Sequence, residues 1–159
     1  GRIVRLSSGV AVIHVGGATQ VEMTEKKHRI EDALEAVRSA QEEGVIGGGG
    51  TALLRASHSV DITTDHEEQT IGMTIVKRAC QAPFRQMCRN GAKSEDLLLA
   101  HILDQPSDMG YDFRTGVLTN LYERGILDPV RVTKSALKNA ASCAGTLITT
   151  NYGIIQVSQ

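Results

Sequence analysis

Four consecutive glycines, Gly47–Gly50, stand in the stretch EEGVIGGGGTALL, between a charged segment and an apolar one. One glycine is enough to end a helix, so a run of four needs a further reason. Two interpretations remain open from these residues alone. The run is either a helix cap with a flexible hinge, or a cradle where free N–H groups before a helix attract a phosphate or nucleotide. A P-loop is excluded, because no Lys-Ser/Thr pair follows the glycines.

Two aspartates are the other candidates for chemistry. Asp32 lies on a predicted helix, opposite an apolar stripe that contains Ile30, Leu34 and Val37. It is either part of a solvated helix face or a carboxylate on a rigid element, able to orient a water or a metal-bound phosphate. Asp128, in GILDP, is the N-cap of the next helix or, instead or in addition, an acceptor for ribose hydroxyls.

The composition excludes several classes of partner. The chain has 159 residues, 41% hydrophobic and only 3% aromatic, so its core must be aliphatic. The formal net charge is −1 and the charges are mixed, without a basic block. With so few aromatic rings for stacking, we expect no nucleic-acid partner. No apolar run approaches the ~20 residues of a membrane helix, and we expect no membrane partner and no signal peptide.

The cysteines do not form a recognisable metal or disulfide pattern. Cys80, Cys88 and Cys143 lie in apolar helical patterns and share no CxxC spacing, and the five histidines are scattered. We therefore predict three reduced core cysteines, typical of a cytosolic compartment. We expect no metal site of the Cys/His kind, and we assign no metal ligand to this chain.

The elements that must position the candidate residues are mostly helices. The patterns predict helices over Val21–Glu43, Thr51–Ser59, Glu67–Asn90 with a break at Pro83, Ser94–Gln105 with Ser94 as N-cap, and Gly125–Thr150 with Asp128 as N-cap and Pro129 first in the helix. We predict polar or turn-rich loops at Asp61–Glu68 and Pro106–Asp112. Gly9–Gly17 and Tyr152–Gln159 are predicted as isolated strands, which implies that their pairing partners are missing.

A series of motifs resembles the group I chaperonin family, of the GroEL type. GVAVIHVGGAT, EMTEKKHRIEDAL and EEGVIGGGGTALLR are followed by EEQTIG, GYD, GILDPVRVTKSAL and AASCAGTLITT, in the order of that family. The resemblance covers essentially the whole chain and implies the C-terminal portion of a subunit. Residues 1–8 would end the apical domain, 9–43 would form the intermediate-domain return segment, and 44–159 would form the C-terminal half of the equatorial ATP-binding domain.

The implied fold class is mainly α, a multihelical half of an equatorial domain, with a small α+β intermediate segment and isolated strands. The chain begins at Gly1 in the middle of a pattern, so we expect a piece of a longer protein.

The resemblance also implies roles for individual residues. Asp32, in EDAL, corresponds to the family's catalytic carboxylate, which reaches the γ-phosphate region. Five positions are implied to bind the nucleotide: Gly48, Gly49, Asp112 at the adenine amino group, Ile126 beside the adenine, and Asp128 at the ribose hydroxyls. The implied cofactors are ATP and Mg²⁺, with the metal ligand and the phosphate loop expected from an N-terminal half that this sequence lacks. Bacterial members tend to have YNAA where this chain has Tyr-Asp-Phe-Arg at 111–114.

The implied function is that of a subunit of an ATP-hydrolysing chaperonin ring that encloses and refolds non-native proteins. Its partners would be identical subunits in a seven-membered ring, a co-chaperonin lid and unfolded clients. The expected location is the cytoplasm of a bacterial-type cell or, alternatively, the interior of a mitochondrion or plastid. The isolated chain is expected to be inactive. Alternatives are an assembly or interaction fragment without ATPase activity, a nucleotide-binding enzyme unrelated to chaperonins, and a purely structural helical domain.

Overall fold

The described residues of the computed structural model, residue 9 and residues 11–156, are mostly helical. The helices are α1 (Gln20–Glu43), α2 (Thr51–Ser59), α3 (Glu67–Ala79), α4 (Ala82–Asn90), α5 (Glu95–Leu103) and α6 (Val130–Ile148). The strands are β1 (Val45–Gly47), β2 (Met109–Asp112), β3 (Val117–Asn120) and β4 (Leu127–Pro129). The chain divides into two compact units at the Glu35–Ala36 bond. The predicted mainly α class is confirmed.

The first unit contains most of α1, and the start of that helix has a clear cap. The amide of Glu22 donates to the Thr19 hydroxyl at 3.2 Å, and the Glu22 carboxylate accepts from the Ala18 amide at 2.8 Å. These bonds satisfy amides that have no partner inside the helix, as in a capping box. Glu22 also pairs with Lys26 one turn later at 2.7 Å. The predicted helix is therefore confirmed, with its first residue at Gln20.

The two predicted terminal strands are wrong over the residues that the structure describes. Residues 11–17 and 151–156 have no regular structure and are almost wholly exposed. A strand needs a neighbour for its N–H and C=O groups, and no described segment pairs with either stretch. Val10 and residues 157–159 lie outside the described part, as does the predicted end of the apical domain at residues 1–8.

The core of the second unit is built from α2, α4, α5 and β2. Its buried residues are Leu54, Phe84, Cys88, Ile102 and Tyr111. Partly buried Phe113 joins them, with its ring edge-on to those of Phe84 and Tyr111 at centroid distances of 6.0 Å and 5.0 Å. The core is thus partly aromatic, although the sequence contains few aromatic residues.

The three cysteines do not share one environment. Cys80 and Cys88 are buried and free, as predicted, and burial raises the pKa of both thiols. Cys143 is also free but is exposed on α6, so its predicted place in the core is wrong. No residue of α6 is buried, which leaves Cys143 without a core to enter.

The predicted helix break at Pro83 is confirmed. Helix α3 ends at Ala79 and α4 begins at Ala82, with Pro83 in its first turn. Proline is tolerated there because its missing N–H would have no partner inside the helix. Ser94 occupies the predicted N-cap position of α5, but its side chain makes no capping hydrogen bond.

The strands form two antiparallel pairs, and both correct the sequence analysis. β2 pairs with β3 as a hairpin, from Met109 opposite Asn120 to Asp112 opposite Val117. The predicted connector at Pro106–Asp112 is therefore partly a strand. Glycine and aspartate in MGYD are poor strand formers, and the pairing with β3 overrides that preference.

The second pair joins β1 to β4, with Ile46 opposite Asp128 and Gly47 opposite Leu127. Asp128 is therefore a strand residue and not the predicted N-cap of α6, whose N-cap position is Pro129. Pairing with β1 holds the residues before Val130 extended, so the helix starts later than predicted.

The long helices carry apolar residues that the described part of the chain leaves exposed. Leu34 and Val37 of the predicted α1 stripe are 45% and 54% exposed, so that stripe is not buried in this chain. None of the described helices is long and apolar enough to cross a membrane.

Replacement of Phe84 by alanine tests the core assignment. Phe84 is fully buried, and we expect the free energy of unfolding to fall by about 3–5 kcal/mol, the usual cost of a large cavity. Urea denaturation followed by circular dichroism measures it. Leu97→Ala is the control, because Leu97 is 71% exposed and its loss should change stability by about 0.5 kcal/mol or less. Equal effects of the two variants would contradict the assigned core.

Candidate functional site

A cleft of about 640 Å³ lies between the residues after β1, the β2–β3 hairpin and the segment before β4. Gly49, Asp112 and Ile126, three of the residues predicted to bind a nucleotide, line it together. Met87, Tyr111, Phe113, Arg114, Thr115 and Arg124 complete the lining. The volume lies within the range of roughly 300–1,000 Å³ that is usual for small-molecule sites.

The glycine run forms a turn that packs tightly against other parts of the protein. A Cβ atom at Gly47 would lie 2.9 Å from Leu121 Cδ1, and one at Gly50 would lie 2.9 Å from the Phe84 amide nitrogen. A Cβ at Gly48 would lie 3.1 Å from the Ile126 carbonyl oxygen. The protein itself therefore explains the missing side chains at these three positions, and a loosely packed hinge is excluded.

Gly49 is the exception within this turn. The nearest atom to a Cβ there would be the Tyr111 carbonyl oxygen, at an ordinary distance of 3.8 Å. Its φ of +68° lies in the left-handed region, which favours glycine whatever the space available. Of the four glycines, only Gly49 lines the cleft. Packing within the protein therefore does not account for the missing side chain at Gly49 as it does at the other three positions.

Hydrogen bonds fix the turn and occupy one of the amides predicted to attract phosphate. The Gly48 amide donates to the Ile126 carbonyl oxygen at 2.9 Å. The buried Thr51 hydroxyl donates to the Gly48 carbonyl oxygen at 2.8 Å, which ties the turn to the first residue of α2. Gly48 thus holds the turn against the Ile126 segment, and its amide is not available to an anion.

Asp112 ends β2 and closes the turn of the hairpin. Its Oδ1 accepts from the amides of Arg114 at 2.8 Å and Thr115 at 3.3 Å, and its Oδ2 accepts from the Thr115 hydroxyl at 2.8 Å. The hydrogen bond from the Thr115 side chain, followed by that from the Arg114 amide, lowers the pKa of the Asp112 carboxyl. The group stays an ionised acceptor near neutral pH, and Oδ2 retains a lone pair for one further donor.

The remaining lining combines apolar walls with two cations. Phe113 packs against the core with part of its ring and also lines the cleft. Arg114 and Arg124 are exposed, and the charge of Arg124 also lowers the pKa of Asp112. A flat ligand with an amino group and negative charges therefore suits the cleft, because the walls, the carboxylate and the guanidinium groups match these features.

Sequence reasoning missed three residues of this cleft. Thr115 follows Asp112 by three residues, a spacing at which a hydroxyl can cap a carboxylate turn, so a signal for it existed. Arg124 precedes the GILDP motif, and no local pattern marked it. Met87 enters from α4, and only the packing of α4 places it there.

Asp128 and Asp32 lie outside the cleft lining. Asp128 is two residues beyond Ile126 on β4, and desolvation raises the pKa of its carboxyl. Asp32 is exposed on α1, in the part of the chain that belongs to the first unit. Their roles stay predictions. Among residues 9 and 11–156, no three side chains are grouped as metal ligands.

Comparison with known proteins identifies the family. The TCP-1/cpn60 chaperonin family matches residues 3–158. The chain belongs to this family. It is similar to a group III chaperonin whose crystal structure is in the open state, with 28% identity, a TM-score of 0.77, and coverage of 88% of this chain and 30% of that chain.

A second solved chaperonin shares the fold. It is the open-state monomer of a group II chaperonin from Methanococcoides burtonii, with 18% identity, a TM-score of 0.69, and coverage of 84% of this chain and 35% of that chain. The chaperonin assignment from the sequence is thus confirmed at the level of the family. The chain spans about a third of the length of these two chaperonin chains.

Alanine at three glycines tests the packing of the turn. Gly50→Ala should lower the free energy of unfolding by about 3 kcal/mol, because the methyl group meets the Phe84 backbone and the left-handed φ adds strain. Gly49→Ala should cost only about 1 kcal/mol, from the φ alone. Gly72→Ala, in α3 with open space around it, should stabilise by about 0.5–1 kcal/mol. Urea denaturation measures all three, and equal losses at Gly49 and Gly50 would contradict the packing.

Proposed function

We propose that this chain is the C-terminal part of a subunit of an ATP-driven chaperonin ring of the group I type, and that its cleft supplies part of the nucleotide pocket. The observation that carries the proposal is the convergence of Gly49, Asp112 and Ile126 on one cleft in a member of the chaperonin family.

The cleft chemistry supports an adenine nucleotide as the ligand. Ile126 offers an apolar wall to the base, and the free lone pair of Asp112 accepts from the amino group. Gly49 allows close approach of the backbone because it carries no side chain. Gly48 lies outside the cleft lining and its amide is already bonded, so we assign it to the support of Gly49 in the turn. We assign Asp128 to the ribose hydroxyls.

Asp32 is proposed as the catalytic carboxylate. A carboxylate of this kind orients the attacking water, since phosphoryl transfer depends mainly on positioning and on charge stabilisation. Mg²⁺, when bound, supplies neutralisation of phosphate charge. The described residues contain no grouped metal ligands, so we expect its protein ligand, and the phosphate loop, from the remainder of the subunit.

The proposal extends to assembly and location. Identical subunits would form a seven-membered ring that closes with a co-chaperonin lid around unfolded clients, in a bacterial-type cytoplasm or the interior of a mitochondrion or plastid. Hydrolysis would require the whole subunit, and this chain alone would release no phosphate.

A second candidate is an assembly fragment without ATPase activity. It is favoured by α6, whose 19 residues include no buried residue. Within the described chain, α6 is tied to the end of α1 by exposed ion pairs, Lys134 to Glu43 at 2.7 Å and Arg131 to Glu42. Exposed pairs contribute little to stability, so α6 has the features of a segment that packs on another chain. The binding experiment below separates the two candidates.

Trimming Ile126 tests the nucleotide cleft. Ile126→Ala removes most of an apolar side chain that lines the cleft. We expect ATP affinity to fall by about 10-fold, which is a usual size for the loss of an apolar contact in a pocket. Calorimetric titration of ATP into this chain measures the affinity. Val117→Ala on β3 is the control, because it also trims a β-branched apolar side chain but Val117 lies outside the cleft lining. Absence of ATP binding by the parent chain would favour the assembly fragment instead.

Asp32→Ala tests the catalytic assignment in the full subunit that contains this chain. ATP turnover should fall by about 10²-fold while ATP affinity is unchanged, because the carboxylate acts on the attacking water and not on nucleotide binding. Steady-state phosphate release and calorimetry measure the two quantities. Glu31→Ala is the control, since it removes a neighbouring carboxylate of the same helix. Equal turnover in Asp32→Ala and the parent would remove Asp32 from the mechanism.

A further inference from the structure

The side chain of Arg55, on α2, contacts four backbone carbonyl oxygens and no carboxylate in the hydrogen bonds of the described residues. Its Nη1 donates to the Gln105 carbonyl oxygen at 2.9 Å. Its Nη2 lies within hydrogen-bond distance of three more carbonyl oxygens, those of Ile102 at 2.8 Å, Pro106 at 2.7 Å and Met109 at 2.9 Å. One guanidinium group thus binds backbone carbonyl groups from the end of α5 to the first residue of β2.

The acceptors are all neutral, which distinguishes this arrangement from an ordinary ion pair. A guanidinium group stays charged in proteins, and desolvation here lowers the pKa of Arg55 while the charge of Asp108 raises it. The Ile102 carbonyl belongs to the last turn of α5, where the partial negative charge of the helix end attracts a cation. The buried Nε has no partner among the described residues, so the Nη bonds determine where the group lies.

The helix that carries Arg55 and the strand that begins at its partner Met109 are each adjacent to residues of the cleft. Arg55 lies one helical turn after Thr51, whose hydroxyl holds the Gly48 carbonyl of the glycine turn. Met109 begins β2, and Asp112, the acceptor in the cleft, ends the same four-residue strand. Arg55 therefore connects the helix that follows Gly49 to the strand that carries Asp112, two residues that line the cleft.

We propose that Arg55 is a positioning residue of the nucleotide cleft, which sets the separation between Gly49 and Asp112 without touching the ligand. The inference rests on the proposed nucleotide binding. Arg55 is absent from the cleft lining, so its effect on the ligand must pass through the backbone groups that it holds.

Lysine cannot replace arginine in this role. An ammonium group is a single point with three donors, whereas the guanidinium fork directs separate nitrogens at carbonyls on both sides. Arg55→Lys keeps the charge and most of the side-chain length but loses the fork. It therefore separates the geometry of the contact from its charge.

The experiment compares ATP affinity, stability and local amide exchange in three variants of this chain. Arg55→Lys should weaken ATP binding by about 10-fold in calorimetric titration, and should speed hydrogen exchange of the β2–β3 amides while exchange in α6 is unchanged. Arg55→Ala should lose affinity further and regain it when methylguanidinium is added, since the small cation can occupy the vacated site. Leu99→Ala is the control, because Leu99 packs on the core but is not among the partners of Arg55. It should lower stability and leave ATP affinity unchanged.

The outcomes separate this inference from the proposal on which it rests. Unchanged ATP affinity in Arg55→Lys, or an equal loss of affinity in Leu99→Ala, overturns the positioning role and leaves nucleotide binding standing. Global unfolding of Arg55→Lys also overturns it, because Arg55 would then serve the stability of the whole unit. Failure of the parent chain to bind ATP overturns both.

Discussion

One buried side chain, Leu121, packs against two glycines distant in sequence, Gly47 of β1 and Gly110 of β2, and so joins the two strand pairs beside the cleft. Leu121 is fully buried, and a Cβ at Gly47 or Gly110 would lie 2.9 Å or 2.7 Å from its Cδ1. Its amide donates to the Asp108 carbonyl oxygen, and its own carbonyl accepts from the Ile126 amide, both at 2.8 Å. Because interiors are close-packed, neither glycine can gain a methyl group without movement of Leu121. The β1–β4 pair and the β2–β3 hairpin are therefore packed together through the Leu121 side chain, which contacts Gly47 in β1 and Gly110 in β2.

The glycine turn is tightly packed and still borders the cleft at Gly49. Gly48 and Gly50 pack against backbone atoms of Ile126 and Phe84, so the turn has little room to move. Gly49, held between them with positive φ, has only the Tyr111 carbonyl oxygen near its Cβ position, at an ordinary 3.8 Å. A backbone that must approach a ligand closely benefits from such support, since less ordering remains to be done when the ligand binds. Packing within the protein thus accounts for Gly47, Gly48 and Gly50, whereas the proposed contact with a ligand applies to Gly49.

The helices could be predicted from the sequence because their signals are local, and three residues that line the candidate cleft could be named because their motifs follow the order of a known family. Pro83 marks a break that depends only on its ring, and Asp112, Ile126 and Gly49 were named through motif order. The hairpin and the place of Asp128 could not be predicted, since Leu121 meets Gly47 across more than 70 residues and no local pattern encodes that contact. The strands expected at both ends failed for the opposite reason. Their composition suits a strand, but a strand forms only beside a partner, and the described residues offer none.

The division of the chain has a consequence for how an ATP-driven cycle could be built. The residues proposed to bind the nucleotide lie in the second unit, on elements fixed by Leu121, whereas the proposed catalytic carboxylate, Asp32, lies in the first. Under these proposed roles, binding and chemistry would rest on residues of separate units, and a substitution in one unit need not disturb the other. Phosphoryl transfer depends on the placement of the carboxylate and affinity depends on the cleft residues, so different residues would set turnover and affinity. Such a separation allows nucleotide to be held before hydrolysis begins, which a conformational cycle requires.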